Sequence, residues 1–185
     1  VKSAQEQLSN YKSVHLNSHN IKTHFIGIPL IIWSIFLLLN LIPFQISVLD
    51  ALSEYFPINV ATLFAIGVLA YYSLLHVRLA FGLAIFILPV LYTSFLVAQQ
   101  ASAWWIALVV FAVGWALQLL GHHYEQAKPA FIDDLNQLFI GPFFLMAELY
   151  FLLGLEAELN KSITSLAITK RRQLEKKPGD NQQTS

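Results

Sequence analysis

The chain has no cysteine among its 185 residues. That absence excludes a disulfide scaffold, a thiolate zinc site, an iron–sulfur cluster and a cysteine nucleophile. Charge is scarce as well. Asp, Glu, Lys and Arg make up 12% of the chain, where a soluble domain carries about 25%. The 11 basic and 11 acidic residues cancel, so there is no broad basic face for nucleic acid. The shortage is also uneven: none of the four charged types occurs from 25 to 49, from 55 to 77 or from 79 to 124.

What fills those gaps is apolar. Hydrophobic residues reach 56% and aromatics 14%, with a mean hydropathy of +0.58. A helix needs roughly 20 apolar residues to cross a hydrocarbon core of about 30 Å, and a lone segment in lipid must satisfy its own backbone hydrogen bonds. The pattern therefore predicts an all-α membrane protein with four transmembrane helices, near 25–42, 58–76, 80–98 and 103–121. The polar Gln99-Gln100-Ala101-Ser102 is the turn between the last two. A fifth apolar stretch, about 138–155, is broken by Gly141-Pro142 and by Glu148, and reads as re-entrant or interfacial. Trp33, Trp104, Trp105 and Trp115 suit interfacial belts or interior packing. Gly67, Gly82 and Gly114 suit close helix approach, and Pro89 should kink the third span.

Cation placement sets orientation. Lys2, Lys12 and Lys22 precede span one, Arg78 separates spans two and three, and Lys128 follows span four. With four spans and a non-crossing fifth segment these fall on one side with the basic tail, so both termini are expected in the cytoplasm. The membrane is then a bacterial inner membrane or an endoplasmic reticulum. Residues 1–24 lack the apolar core of a signal peptide. Residues 1–160 read as one membrane-embedded domain, and 161–185 as a basic tail, disordered from Lys176 onward.

Five of the six histidines sit at two edges of the apolar stretches: His15, His19 and His24 before span one, His122 and His123 after span four. Both edges are on the expected cytoplasmic side. Tyr11 and His15 share a helix face, as do Asn20 and His24. His15 and His24 are two and a half turns apart, so they can act together only if the chain bends between them. Asn17-Ser18, two good N-caps, is the place for that bend. His122 and Glu125 are three apart and can face one way. Pro129 ends that helix or starts the next. Glu148, at membrane depth, is a site candidate or a structural partner. His76 reads as structural, and Asp133 and Asp134 as solvated or capping.

Imidazoles with a carboxylate and open positions suit non-haem ferrous iron and zinc alike. An interfacial site suits an amphiphilic substrate, its head at the metal and its tail along the bundle. Three readings follow from the residues: an iron-dependent lipid oxygenase, a zinc-dependent lipid hydrolase with Glu125 as general base, and a non-enzymatic membrane protein with a structural histidine cluster.

Two motifs narrow this. Tyr11-x3-His15-x4-Asn20-x3-His24-x2-Gly27-x-Pro29, followed by Gly121-His122-x2-Glu125-x3-Pro129-Ala130, Gly141-Pro142 and Glu148, resembles the signature of the Mpo1-like family over about residues 5–155. The resemblance implies a membrane-bound Fe(II)-dependent dioxygenase of 2-hydroxy fatty acids, serving α-oxidation with one-carbon shortening. It implies His15, His24 and His122 as metal ligands, with Glu125, Asn20 and Tyr11 as supporting catalytic groups. His19 and His123 fall outside its motif positions. The partners implied are a 2-hydroxy fatty acid, dioxygen and the lipid bilayer. Lys22 or Lys128 is the candidate to pair the substrate carboxylate. Homo-oligomerisation stays open, because small residues in the spans serve internal and intersubunit packing equally.

Overall fold

The computed structural model describes residues 2–44, 58–126 and 135–175. Lys128, Pro129, Asp133, Asp134 and the end of the tail from Lys176 lie outside the described residues. Among those described the fold is all-helical. The elements are α1 (Ala4–Ser13), α2 (Ser18–Asn40), α3 (Val60–Leu75), α4 (Val77–Ala98), α5 (Ala103–Glu125), α6 (Gln137–Leu152) and α7 (Ala157–Glu175).

Three helices, α2, α4 and α5, are long and apolar enough to cross a membrane. The second expected span is α3, with 16 residues. At about 1.5 Å per residue it reaches roughly 24 Å, short of a full hydrocarbon core. The turn between α4 and α5 falls on Gln99–Ser102. Pro89 lies inside α4, as Pro29 and Pro142 do in α2 and α6. The long helices turn large apolar side chains outward, including Phe81, Ile85, Trp104, Trp105 and Val109. An outer surface of that kind suits lipid.

The tightest seam is between the antiparallel α2 and α5. Small residues recur at every seventh position of α5 (Ala107, Gly114, Gly121), all buried on the α2 side; this is the period of a left-handed helix pair. A Cβ on Gly114 would lie 2.7 Å from Ile31 Cγ1 and 3.0 Å from the Gly27 carbonyl oxygen. Hydrogen at these positions lets the two backbones touch. Gly82 likewise makes room for Met146 and Tyr150 of α6. Gly67 does not fit this role: a Cβ there meets nothing within 4 Å. It faces outward, which its sequence position could not reveal.

The fifth apolar stretch is α6, a 16-residue helix. It buries Ile140, Phe143, Phe144 and Ala147 in a core shared with Leu8 and Tyr11 of α1, Tyr72 of α3, Leu79 and Leu83 of α4 and Ile163 of α7. Residues 161–175 of the basic tail belong to α7, which buries Ile163 and Ala167 and packs along α1. Lys170 Nζ donates to Ser9 Oγ at 3.0 Å and also to Asn10 Oδ1.

Candidate metal centre

The site forms where the start of the chain meets the last turn of α5. α1 ends at Ser13, and Asn17 caps α2, its side chain accepting from the His19 backbone N–H at 2.8 Å. The bend needed to bring His15 and His24 together therefore lies at Asn17. His24 sits in the second turn of α2, and His122 near the end of α5. Gln126, in the left-handed conformation (φ 53°), closes α5 by donating to the His122 carbonyl at 3.1 Å.

His15, His24 and His122 are all buried, and one ring nitrogen from each lies within 4.8 Å of the others. The three rings pack edge-to-face, with centroids 4.7–5.1 Å apart. His15 Nδ1 is 2.6 Å from the Tyr11 carbonyl oxygen, and His24 Nδ1 is 2.9 Å from that of Asn20. A carbonyl can only accept, so each Nδ1 carries the proton and each Nε2 presents a lone pair. Those two Nε2 atoms face each other at 3.1 Å. Two lone pairs so close repel unless a cation lies between them. Two imidazoles bound to one metal at about 2.0–2.1 Å place their nitrogens roughly 3.0–3.4 Å apart. The donor set fits a metal ion, and the backbone carbonyls fix the ring tautomers as carbonyls commonly do beside metal-bound histidine. Burial, followed by the neighbouring His24, holds the His15 pKa well below the usual histidine range, so His15 stays neutral and competent to bind a metal.

The supporting residues have distinct places. Tyr11 stacks flat on His15, with centroids 4.0 Å apart and planes at 3°. Burial raises its phenol pKa, which keeps it protonated. Asn20 is wholly buried and its amide donates to Glu125 Oε2 at 3.1 Å. Glu125 also accepts from the backbone N–H groups of Leu16 (3.1 Å) and Asn17 (2.8 Å), and from Arg171 Nη1 at 3.3 Å. Its carboxylate thus ties the loop that carries His15 to the helix that carries His122.

Glu148 is held by Lys12, with Nζ 2.5 Å from Oε1. His76 and Arg78 approach Glu156 at 3.7 and 3.0 Å, away from the imidazoles. His19 and His123 are exposed and lie near the Tyr124 ring rather than in the cluster. Lys22 is exposed and does not line the cavity described next.

A cavity of about 360 Å³ opens from His15 and His122 into the bundle. Its lining residues with polar groups are Tyr11, Tyr72, Trp115, Gln118, Gln137 and the two imidazoles; the rest are apolar, including Ile28, Ile32, Val68 and Ile87. Among the described residues no Lys or Arg lines it. Sequence reading missed Gln118, although it lies four residues before His122 on the same face. It also missed the Glu125–Arg171 tie, which joins positions 46 apart with no local signal.

The family model for 2-hydroxy-palmitic acid dioxygenase Mpo1-like proteins matches residues 1–153. The chain belongs to the Mpo1-like family. It is 31% identical over 175 residues to the 2-hydroxy-palmitic acid dioxygenase MPO1 of Saccharomyces cerevisiae, covering 92% of each chain. No solved structure matches it. The family match ends within the α6–α7 connection, so Arg171 lies beyond it.

Proposed function

We propose that this chain is an integral-membrane Fe(II)-dependent dioxygenase that takes 2-hydroxy fatty acids one carbon shorter, as in fatty-acid α-oxidation. The carrying observation is the pair of Nε2 lone pairs of His15 and His24, facing each other at 3.1 Å, with His15 lining a largely apolar cavity. The similarity to a 2-hydroxy-palmitic acid dioxygenase supports the substrate class.

His15, His24 and His122 would hold the metal. Bound there, ferrous iron supplies the one-electron chemistry that lets dioxygen react with an organic substrate. The chain does the rest. The Tyr11 and Asn20 carbonyls keep both Nε2 atoms deprotonated and aimed. The flat Tyr11 ring fixes the His15 plane. Glu125 holds the two ligand-bearing segments together, and the apolar walls exclude water and align the acyl chain.

The membrane arrangement has its own support. α3 is taken as a fourth, short span. α6 packs against the site-proximal residues of its neighbours, such as Tyr72, Leu79 and Leu83, which suits a segment that does not cross. The described charged residues gather at the imidazole end, while the far end carries Asn40, Asn59, Gln99 and Gln100. On the distribution of cations the imidazole end faces the cytoplasm.

A zinc hydrolase would need Glu125 as its base. Both carboxylate oxygens are already occupied by four donors, which favours an anchoring role instead. The test is metal analysis of anaerobically purified protein, then oxygen consumption on adding 2-hydroxypalmitate. Iron, oxygen uptake and an acid one carbon shorter support the reading; zinc with oxygen-independent turnover overturns it.

A further inference from the structure

We propose that Phe36 and Phe64 form the floor of the cavity and set the longest acyl chain it accepts. This rests on the 2-hydroxy fatty acid reading above. The cavity has a fixed head, His15 and His122. Its wall on α5 runs from His122 past Gln118 and Trp115 to Phe111. Those eleven helical steps of about 1.5 Å cover roughly 16 Å. On the antiparallel α2 the wall runs the other way, from Ile28 to Phe36, and on α3 it runs from Tyr72 back to Phe64. The deepest residues of α2 and α3 are thus the two phenylalanines. Their rings meet edge-on at 5.8 Å, and Phe36 is buried.

One turn beyond this pair the chemistry changes. The Asn40 amide donates to Ser94 Oγ at 3.1 Å and to the Phe36 carbonyl at 2.9 Å, and Asn59 donates to Asn40 Oδ1 at 2.7 Å. These groups satisfy one another across α2, α3 and α4. An acyl chain pushed past the rings would have to part them, leaving the buried Asn59 and the half-buried Asn40 amides unpaired. The apolar channel is therefore closed twice, by aromatic bulk and then by a hydrogen-bonded polar layer.

The length follows. An extended acyl chain advances about 1.25 Å per carbon, from a C–C bond of about 1.5 Å at the tetrahedral angle. Roughly 16 Å takes about thirteen carbons beyond the carboxyl and hydroxyl carbons held at the imidazoles. Acids of up to about fifteen carbons fit extended, and acids of about twenty overrun the floor.

The test is binding to the full-length protein in detergent, read as displacement of a fluorescent fatty acid by a series of straight-chain 2-hydroxy acids. Affinity should rise to about fifteen carbons and then fall. Phe36→Ala and Phe64→Ala should each move the limit out by about one helical turn, or about four carbons, with about tenfold tighter binding of the twenty-carbon acid. Val68→Phe, which fills the channel one turn nearer the head, should move the limit in by a similar amount. Because the two kinds of variant act in opposite directions, a general loss of folding cannot imitate the result. An unmoved limit in all three overturns the proposal. If no acid of any length competes, the 2-hydroxy fatty acid reading falls, and this inference with it.

Discussion

The Nε2 atoms of His15 and His24 face each other at 3.1 Å, and each ring is tied through Nδ1 to a carbonyl four residues earlier. The same local device is used twice, once at the end of α1 and once inside α2. It converts two ordinary histidines into opposed lone pairs. Replacing either by alanine should therefore remove most of the bound metal, lowering affinity at least about tenfold, while the helical signal by circular dichroism stays. Full metal occupancy in His15→Ala or His24→Ala would place the ligands elsewhere.

Glu125 should behave as a positioning residue. Glu125→Gln keeps the shape but loses the charge that four donors share. Metal affinity should fall by about 10–100-fold, as for other groups that orient metal ligands, and stability by about 1–3 kcal/mol. Arg171→Met removes one donor of the four and should have a smaller effect of the same sign. Metal titration and thermal unfolding read both variants.

Two glycine substitutions separate a seam from an outer face. A Cβ on Gly121 would lie 2.5 Å from Asn20 Oδ1 and 3.0 Å from His24 Nδ1. Gly121→Ala should push α2 from α5 and release metal. Gly67→Ala enters open space and should change stability by no more than about 0.5 kcal/mol.

The Lys12–Glu148 pair is mostly buried, with side chains 10% and 13% exposed. Lys12→Met strands a buried carboxylate and should cost about 3–5 kcal/mol. Lys12→Met with Glu148→Met should recover much of that loss, because neither charge is left alone. Unfolding of the three variants and the parent in one detergent closes the cycle; a double variant no better than the single one would show that the pair is not the cause.

Acid should weaken the metal-free protein. In the fold, burial and then His24 hold His15 well below its usual pKa. In the unfolded chain it takes a proton near pH 6.5. Below that pH the unfolded state binds more protons, so stability falls as pH falls, down to the folded-state value. Above pH 6.5 the residue is neutral in both states and contributes no pH dependence. Melting temperature should drop between about pH 6.5 and 5, with a shallower slope in His15→Ala.

What could be read from the sequence was what local rules fix. Runs without charge can only be stable as buried or lipid-facing helix, so the all-α membrane character and most helix positions follow from composition. The i, i+4 spacing of Tyr11 with His15 and of Asn20 with His24, and the N-cap at Asn17, fix the local geometry of the first two ligands. The tertiary structure decided which face of each helix meets another. That choice brought His122 to the pair, made Glu125 an anchor through Arg171, buried Glu148 against Lys12, and set Gly121 in a seam while Gly67 looks outward. It also shaped the cavity from residues of six helices. Such contacts depend on the relative rotation of whole helices, a property of the assembled bundle that no short segment carries.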